Sequence, residues 1–407
     1  MIRNISDNYF ERFSSSHVDH SMTFMDQTGL TVVIPAFNEP ELSVTLENLW
    51  KATPISGRVA VIVVVNFSEE STAELKSINE NQAKIAEAWF ADQNNEHKYG
   101  FVLQAFNLEA KHAGVGMARK IGMDQALMMF TKNKCDGWII SLDADCTVSN
   151  NYFLIHEQSW KEGRRGAINY FEHPMDNEAM VMYELYLRYV VQSLKWSGFK
   201  YATHTIGSTF AVRASVYASL GGMNKRLAGE DFYFIQKLMS NGSVKQITAS
   251  TVFPSDRPSE RVPFGTGRAV ESIESFQMVY NFEIFRIIKK WLIFLQGFKK
   301  AHVRKLESAI PKSISKYIPI VYFEEIREMD KNTKNQESFT NRLFQWFNNF
   351  KMIKFMHRLR DKFGYESQPI ADMCAELLRE HNIPILKSDI RSLLLHFRHL
   401  DKQWENE

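Results

Sequence analysis

Thr31–Ile34 is a β-branched run that stops at Pro35 and opens into Ala36-Phe37-Asn38-Glu39-Pro40, the pattern of a buried strand ending in a loop. Glu41–Lys51 then sets Leu42, Leu46 and Leu49 at helical spacing. Val59–Val65 is continuously apolar, as a central parallel strand covered on both faces requires, and it ends at Asn66-Phe67-Ser68. Ser71–Phe90 reads as a long helix and Phe101–Ala105 as a third strand. Gly116–Phe130 carries Met117, Ile121, Leu127 and Met128 at the spacing of an amphipathic helix. Trp138–Leu142 is a fourth strand, ending in Asp143-Ala144-Asp145. The alternation predicts a parallel α/β sheet with right-handed crossovers, whose ligands gather at the carboxyl ends of the strands. Each predicted strand ends in a polar cluster, so several loops should converge on one crevice.

After Asp145 the alternation loosens. Tyr183–Leu194 reads as a helix, Gly207–Val212 as a strand, and Val216–Leu220 as a short helix stopped by Gly221-Gly222. Glu230-Asp231 opens a helix that Asn241-Gly242 ends. Phe253–Gly267 holds three prolines and two glycines and predicts a loop. From Glu271 onward the pattern is mainly helical. Ile273, Phe276, Val279 and Tyr280 mark one helix; Phe339, Leu343, Phe347 and Phe350 a second; Met373, Leu377 and Leu378 a third.

Charge sharpens this division. The chain has 49 basic and 47 acidic side chains, a net of +2 that argues against a general nucleic-acid binder. Residues 271–407 hold 23 basic against 18 acidic residues, whereas 1–270 hold 26 against 29. Arg286–Lys316 alone carries nine basic residues and a single acid, Glu307. The composition changes near residue 270, giving an N-terminal extension of 1–28, a core domain of 29–270 and a helical region of 271–407. No apolar run approaches the ~20 residues of a membrane span, and the N-terminus lacks the apolar stretch of a signal peptide. Cys135, Cys146 and Cys374 form no disulfide framework, so the expected setting is cytoplasmic.

Three motifs carry candidate chemistry. Asp143 and Asp145 flank a small residue at a strand's carboxyl end, where both can reach one hard cation such as Mg²⁺ or Mn²⁺. Glu230 and Asp231 open a helix; acids there can simply favour the helix dipole, or serve as a general base. Arg257 and Arg261, four apart in the Pro/Gly loop, suit phosphate oxygens, or equally a solvated surface. His112 and His204 read as ordinary hydrogen-bonded histidines, and Trp196, Phe199 and Tyr201 as core aromatics rather than a sugar platform. No HExxH, GxSxG or GxxxxGK[ST] pattern occurs, and Gly265-Thr266-Gly267 is not a dinucleotide fingerprint.

In order, VVIPAFNEP, VIVVVNFSEEST, KHAGVGMARKIGMDQAL, IISLDADC and GSTFAVRASVYASLGGMNKRLAGEDFYF resemble the motifs of a family 2 glycosyltransferase over residues 29–270. The resemblance implies the α/β GT-A fold, Rossmann-like with a mostly parallel central sheet flanked by helices, and here a mainly helical C-terminal extension. It implies a metal-dependent, inverting transfer from a nucleoside-diphosphate sugar to a glycan, lipid-linked or small-molecule acceptor. Carried over by position, Pro35, Ala36, Phe37 and Glu39 would sit at the nucleoside, with Asn66 and Arg119 near the base. Asp143, beside Ala144, would contact ribose or metal-bound water, and Asp145 would ligate Mn²⁺ or Mg²⁺. Asp231 would be the catalytic base, and Glu230 would contact acceptor or donor sugar. Asn66 stands where the family usually has an Asp, and no histidine follows Asp231 until His302. The absence of QxxRW disfavours a processive polymerase. The competing readings are a nucleotidyltransferase, disfavoured by PAFNEP after the first strand, and a nucleotide-sugar-binding protein without catalysis. The Pro/Gly loop is expected to close over the pyrophosphate, with Arg257 or Arg261 on the leaving group. The segment 286–316, with Trp291, Phe294 and Phe298, is a candidate peripheral membrane contact, the opposing reading being that these aromatics are core.

Overall fold

The valine-rich run is the heart of the sheet. In the computed structural model, which describes residues 2–227, 229–242, 244–257, 276–384 and 389–403, strand β2 (Arg58–Ser68) lies between β1 (Thr28–Ala36) and β3 (Lys98–Leu108), all parallel. β4 (Trp138–Ser141) continues the parallel set on the other side of β1. Every interior residue of β2 is buried, because helices cover both faces and no polar alternation is needed. The eight strands run in the order β3-β2-β1-β4-β7-β6-β8-β5. Here β5 is Thr147–Val148, β6 Gly166–Phe171, β7 Phe210–Arg213 and β8 Val244–Phe253. β7 is antiparallel to both β4 and β6, while β6 and β8 are parallel. The expected architecture, a mostly parallel sheet flanked by helices with a helical C-terminal region, is the one observed.

Several elements differ from the sequence reading. β1 passes through Pro35 and ends at Ala36. Pairing with β4 stops at Val33, so Pro35 has a strand on one side only and its missing N–H breaks no second ladder. Helix α4 (Val115–Lys132) is not amphipathic: residues 116–130 are all buried. Its polar face meets helix α1 (Ile2–Arg12) and helix α7 (Ala214–Ser219) instead of water. There Asp124 Oδ1 accepts from the Tyr9 and Tyr217 hydroxyls, each at 2.6 Å, and Lys120 donates to Tyr9 at 2.8 Å. Gly207–Thr209 is one turn of 3₁₀ helix, and only Phe210 onward is strand. β8 extends through Phe253, so the irregular segment starts at Pro254; its residues 258–267, Arg261 among them, lie outside the described residues.

The chain divides into two compact units, one of Met1–Met180, Thr205–Glu271 and Lys402–Glu407, the other of Val181–His204 and Ser272–Asp401. In the second, Ile273 lies outside the described residues, and Gln277–Tyr280 is not helical. Met278–Val279 pairs antiparallel with Gln368–Pro369, and the helix begins at Phe282, with the Asn281 side chain accepting from the Glu283 N–H. The aromatic run 339–350 is two helices, Gln336–Trp346 and Asn349–Phe363. Asn348 separates them by accepting from the N–H groups of Phe350 and Lys351, a stronger local signal than the apolar spacing. Trp291 and Phe298 are buried inside this unit, with Phe294 stacked on Trp291 at 5.5 Å, so the aromatics of 286–316 are core. Among the described residues no helix is long and apolar enough to cross a membrane.

Candidate functional site

At the carboxyl ends of the parallel strands, two ionic clusters form. The first is built on Arg119, in the second turn of α4. Its side chain is 2% exposed, and it donates through Nη2 to Asp143 Oδ1 at 2.6 Å and through Nη1 to Glu230 Oε1. Asp143 is held there by the turn after β4, closed by Cys146 N–H to the Asp143 carbonyl, and by Thr45 Oγ1 donating to the Ala144 carbonyl at 2.8 Å. Glu230 and Asp231 open helix α8 (Glu230–Ser240), preceded by Gly229 at φ +72°, a left-handed turn that suits glycine. Glu230 is buried; Asp231, next along the first turn, is half-buried and accepts from the Phe232 N–H at 2.7 Å. Gly207 closes the cradle, since a Cβ there would lie 2.6 Å from Arg119 Nη2.

The electrostatics follow from burial. Burial raises the Glu230 carboxyl to about 7 against the attraction of Arg119, with the negative charge of Asp231 adding to the rise. Asp231 is likewise raised by burial against the pull of Arg119. For Arg119 burial works toward loss of the proton, but Asp143, Glu230 and Asp231 outweigh it and hold the guanidinium charged. The result is a proton-holding pair of carboxyls on a fixed cation.

The second cluster joins the β1 loop to the end of β8. Pro35 and Ala36 are buried at the close of β1, and Phe37 is half-buried beyond them. Asn38 N–H donates to Asn79 Oδ1 at 2.8 Å, and Gln82 Nε2 donates to the Glu39 carbonyl, both from helix α3 (Ala73–Gln93). Glu39 is buried, and its Oε1 accepts from Arg257 Nη2 at 2.6 Å. Asp145 is close enough to Arg257 to help hold that guanidinium charged. Asn66 is buried at the end of β2, and beside it Phe67 stacks on Phe106 at 4.5 Å.

Arg119, Asp143, Glu230 and Asp231 therefore meet at one point, and Glu39, Arg257 and Asp145 at another, all in the first unit. Arg119 lies between carboxylates, and Glu230 is turned inward to it. His204, in the second unit, is taken up by Asp401 at 3.0 Å; Phe199 and Tyr201 are buried there, and Trp196 packs on Phe282. Sequence reasoning missed Thr45, Asn79, Gln82 and Gly207, whose only signal was the polar or small residue itself. No group of three candidate ligands gathers among the described residues. Two carboxylates on one strand-end turn still fit Mg²⁺ or Mn²⁺, because such ions commonly take one or two protein carboxylates and complete their shell with phosphate oxygens and water.

Comparison with protein-family profiles and with curated proteins finds no match. Solved structures similar to this chain include S. aureus TarS 1–349 in complex with UDP-GlcNAc, at a TM-score of 0.40 and 11% identity, covering 80% of this chain and 92% of that one. The same protein in complex with UDP has a TM-score of 0.39 at the same identity and coverage. A likeness this slight does not transfer a function.

Proposed function

We propose that the protein is a metal-dependent, inverting, non-processive glycosyltransferase of the cytoplasm, moving a sugar from a nucleoside-diphosphate donor to an acceptor hydroxyl in cell-surface glycan or glycolipid synthesis. The observation that carries this reading is the Arg119 bridge, which brings the DAD turn and the GED helix start to one point from positions 143 and 230. The ordered motifs of residues 29–270 add to it. Phe37, Glu39 and Asn66 would bind the nucleoside, between the ends of β1 and β2, and Arg257 would face the diphosphate. Asp145 and Asp143 would hold a Mg²⁺ or Mn²⁺ ion, which neutralises charge on the leaving diphosphate as a Lewis acid. Asp231, the more accessible acid of its pair, would take the proton of the acceptor hydroxyl. The acceptor oxygen then bonds to the anomeric carbon as the bond to the diphosphate breaks on the opposite face, inverting the configuration. Arg119 and Glu230 would position Asp143 and Asp231 without touching the acceptor.

A thermal-shift panel of nucleoside diphosphates and nucleotide-sugars, with Mg²⁺ or Mn²⁺, tests the binding half, because a ligand of the native state raises stability by mass action. At least one nucleoside diphosphate should raise the melting temperature, and more with metal than without. Asp145→Ala should remove the metal-dependent part. If no nucleotide shifts the transition, the reading fails.

A further inference from the structure

We propose that the outward face of residues 299–321 docks on an anionic lipid bilayer. In this stretch Val303, Leu306, Ile310, Ile314, Tyr317 and Ile318 are buried, at spacings that turn the intervening positions outward. Lys299, Arg304, Lys305, Lys312 and Lys316 are all exposed. Lys300 is excluded from the count because it pairs with Asp330. The stretch has one acid, Glu307, and Arg327 neutralises it at 2.6 Å. Pro311 and Pro319 each precede a helix, Lys312–Ser315 and Ile320–Lys331, so the cations stand on short, stiff turns rather than on a floppy tail. At the end of the face Ile320 is 76% exposed, the most exposed large apolar side chain among the described residues, and Val321 beside it is 50% exposed.

That combination selects the partner. Five unpaired-by-acid cations attract a polyanion, each contributing about 1 kcal/mol near a charged bilayer. A nucleic acid offers nothing to a bare isoleucine and valine, whereas acyl chains do, and the only Phe, Tyr or Trp of this stretch, Tyr317, is buried away from any stacking base. A second copy presenting this same face would bring like charges together.

The test is cosedimentation of the full chain with vesicles of mixed phosphatidylglycerol and phosphatidylcholine, against phosphatidylcholine alone. Binding is expected to the anionic vesicles only, and to weaken as salt rises. Lys312→Gln with Lys316→Gln should reduce it about 30-fold, two cations at about 1 kcal/mol each. Ile320→Ser with Val321→Ser should remove the part that survives high salt. Both pairs are exposed, and an unchanged melting temperature will show that the fold is intact. The proposal is overturned if the protein ignores anionic vesicles, binds neutral ones equally, or binds as before in both double variants. Displacement from the vesicles by a short DNA duplex, or concentration-dependent dimerisation abolished by the Ile320 variant, would assign the face to another partner.

Discussion

One guanidinium, that of Arg119, holds the charge balance of three carboxylates. Removing it leaves buried acids without a partner, so Arg119→Ala should destabilise the protein by about 3–5 kcal/mol, whereas Arg119→Lys keeps the charge but cannot fork to Asp143 and Glu230 together. Turnover is expected to rise with pH through neutrality, as the pair Glu230/Asp231 loses the proton that burial helps it keep. Two variants should move that limb in opposite directions. Glu230→Gln removes the negative neighbour of Asp231 and should shift it to lower pH; Arg119→Ala removes the cation and should shift it higher. A limb that stays fixed in both would place the base elsewhere. The same raised carboxyl sets a stability trend. Between its ordinary 4.5 and about 7 the folded state holds a proton that the unfolded chain has released, so Glu230 makes the fold less stable as pH rises across that window. Asp231→Asn should lower turnover by roughly 10²-fold or more, the scale of losing a general base, while leaving the nucleotide-induced thermal shift in place.

Among the elements, α4 depends most on what covers it. Its Asp124 is fully buried and receives Tyr9, Tyr217 and the Ser15 N–H at 2.6 Å each, with Lys120 as the ion-pair partner at 3.1 Å. The N-terminal helix thus covers the core and fixes the middle of the helix that carries Arg119, at Lys120 and Asp124. Tyr9→Phe removes one donor from Asp124 and one of the acceptors of Lys120, which should cost about 1–3 kcal/mol. Differential scanning calorimetry should show the loss as a lower melting temperature, and a variant as stable as the parent would mean that α1 contributes packing alone.

At the scale of the whole molecule, the second unit is closed by its own ionic core. Asp401, in the last helix (Ile390–Lys402), accepts from Arg188, Gln192 and His204, while Glu184 pairs with both Arg188 and Arg398. Burial alone would raise the Asp401 carboxyl, but Arg188 and His204 outweigh it and hold it below its usual value. Its contribution is therefore present above pH 3.8 and is lost as the pH falls through the depressed value. Asp401→Ala leaves the buried Arg188 only Glu184, which it shares with Arg398, and takes the acceptor from Gln192 and His204, so it should cost about 3–5 kcal/mol, with the acid limb of the stability curve flattened as well. Truncation before Ile390 should do at least as much damage, measurable by urea denaturation.

The residue pattern alone determined the parallel β1–β4 set, because strands buried on both faces must be continuously apolar, as Val59–Val65 is. It also determined that Asp143 and Asp145 stand at a strand end and Glu230 and Asp231 at a helix start, since local spacing and turn signals suffice for both. It did not reveal β6, a short, fully buried strand opened by Gly166 and interrupted by the polar Asn169, nor β8, whose polar and half-buried positions give no clean alternation. It misjudged α4 as amphipathic because the residues that bury its polar face come from α1 and α7, remote in sequence. Only the tertiary structure decided that Arg119 lies between Asp143 and Glu230. A pairing across 111 residues leaves no periodic trace; it exists because the sheet, the cradle at Gly207 and the left-handed turn at Gly229 bring those side chains together where an unpartnered charge would be too costly to bury.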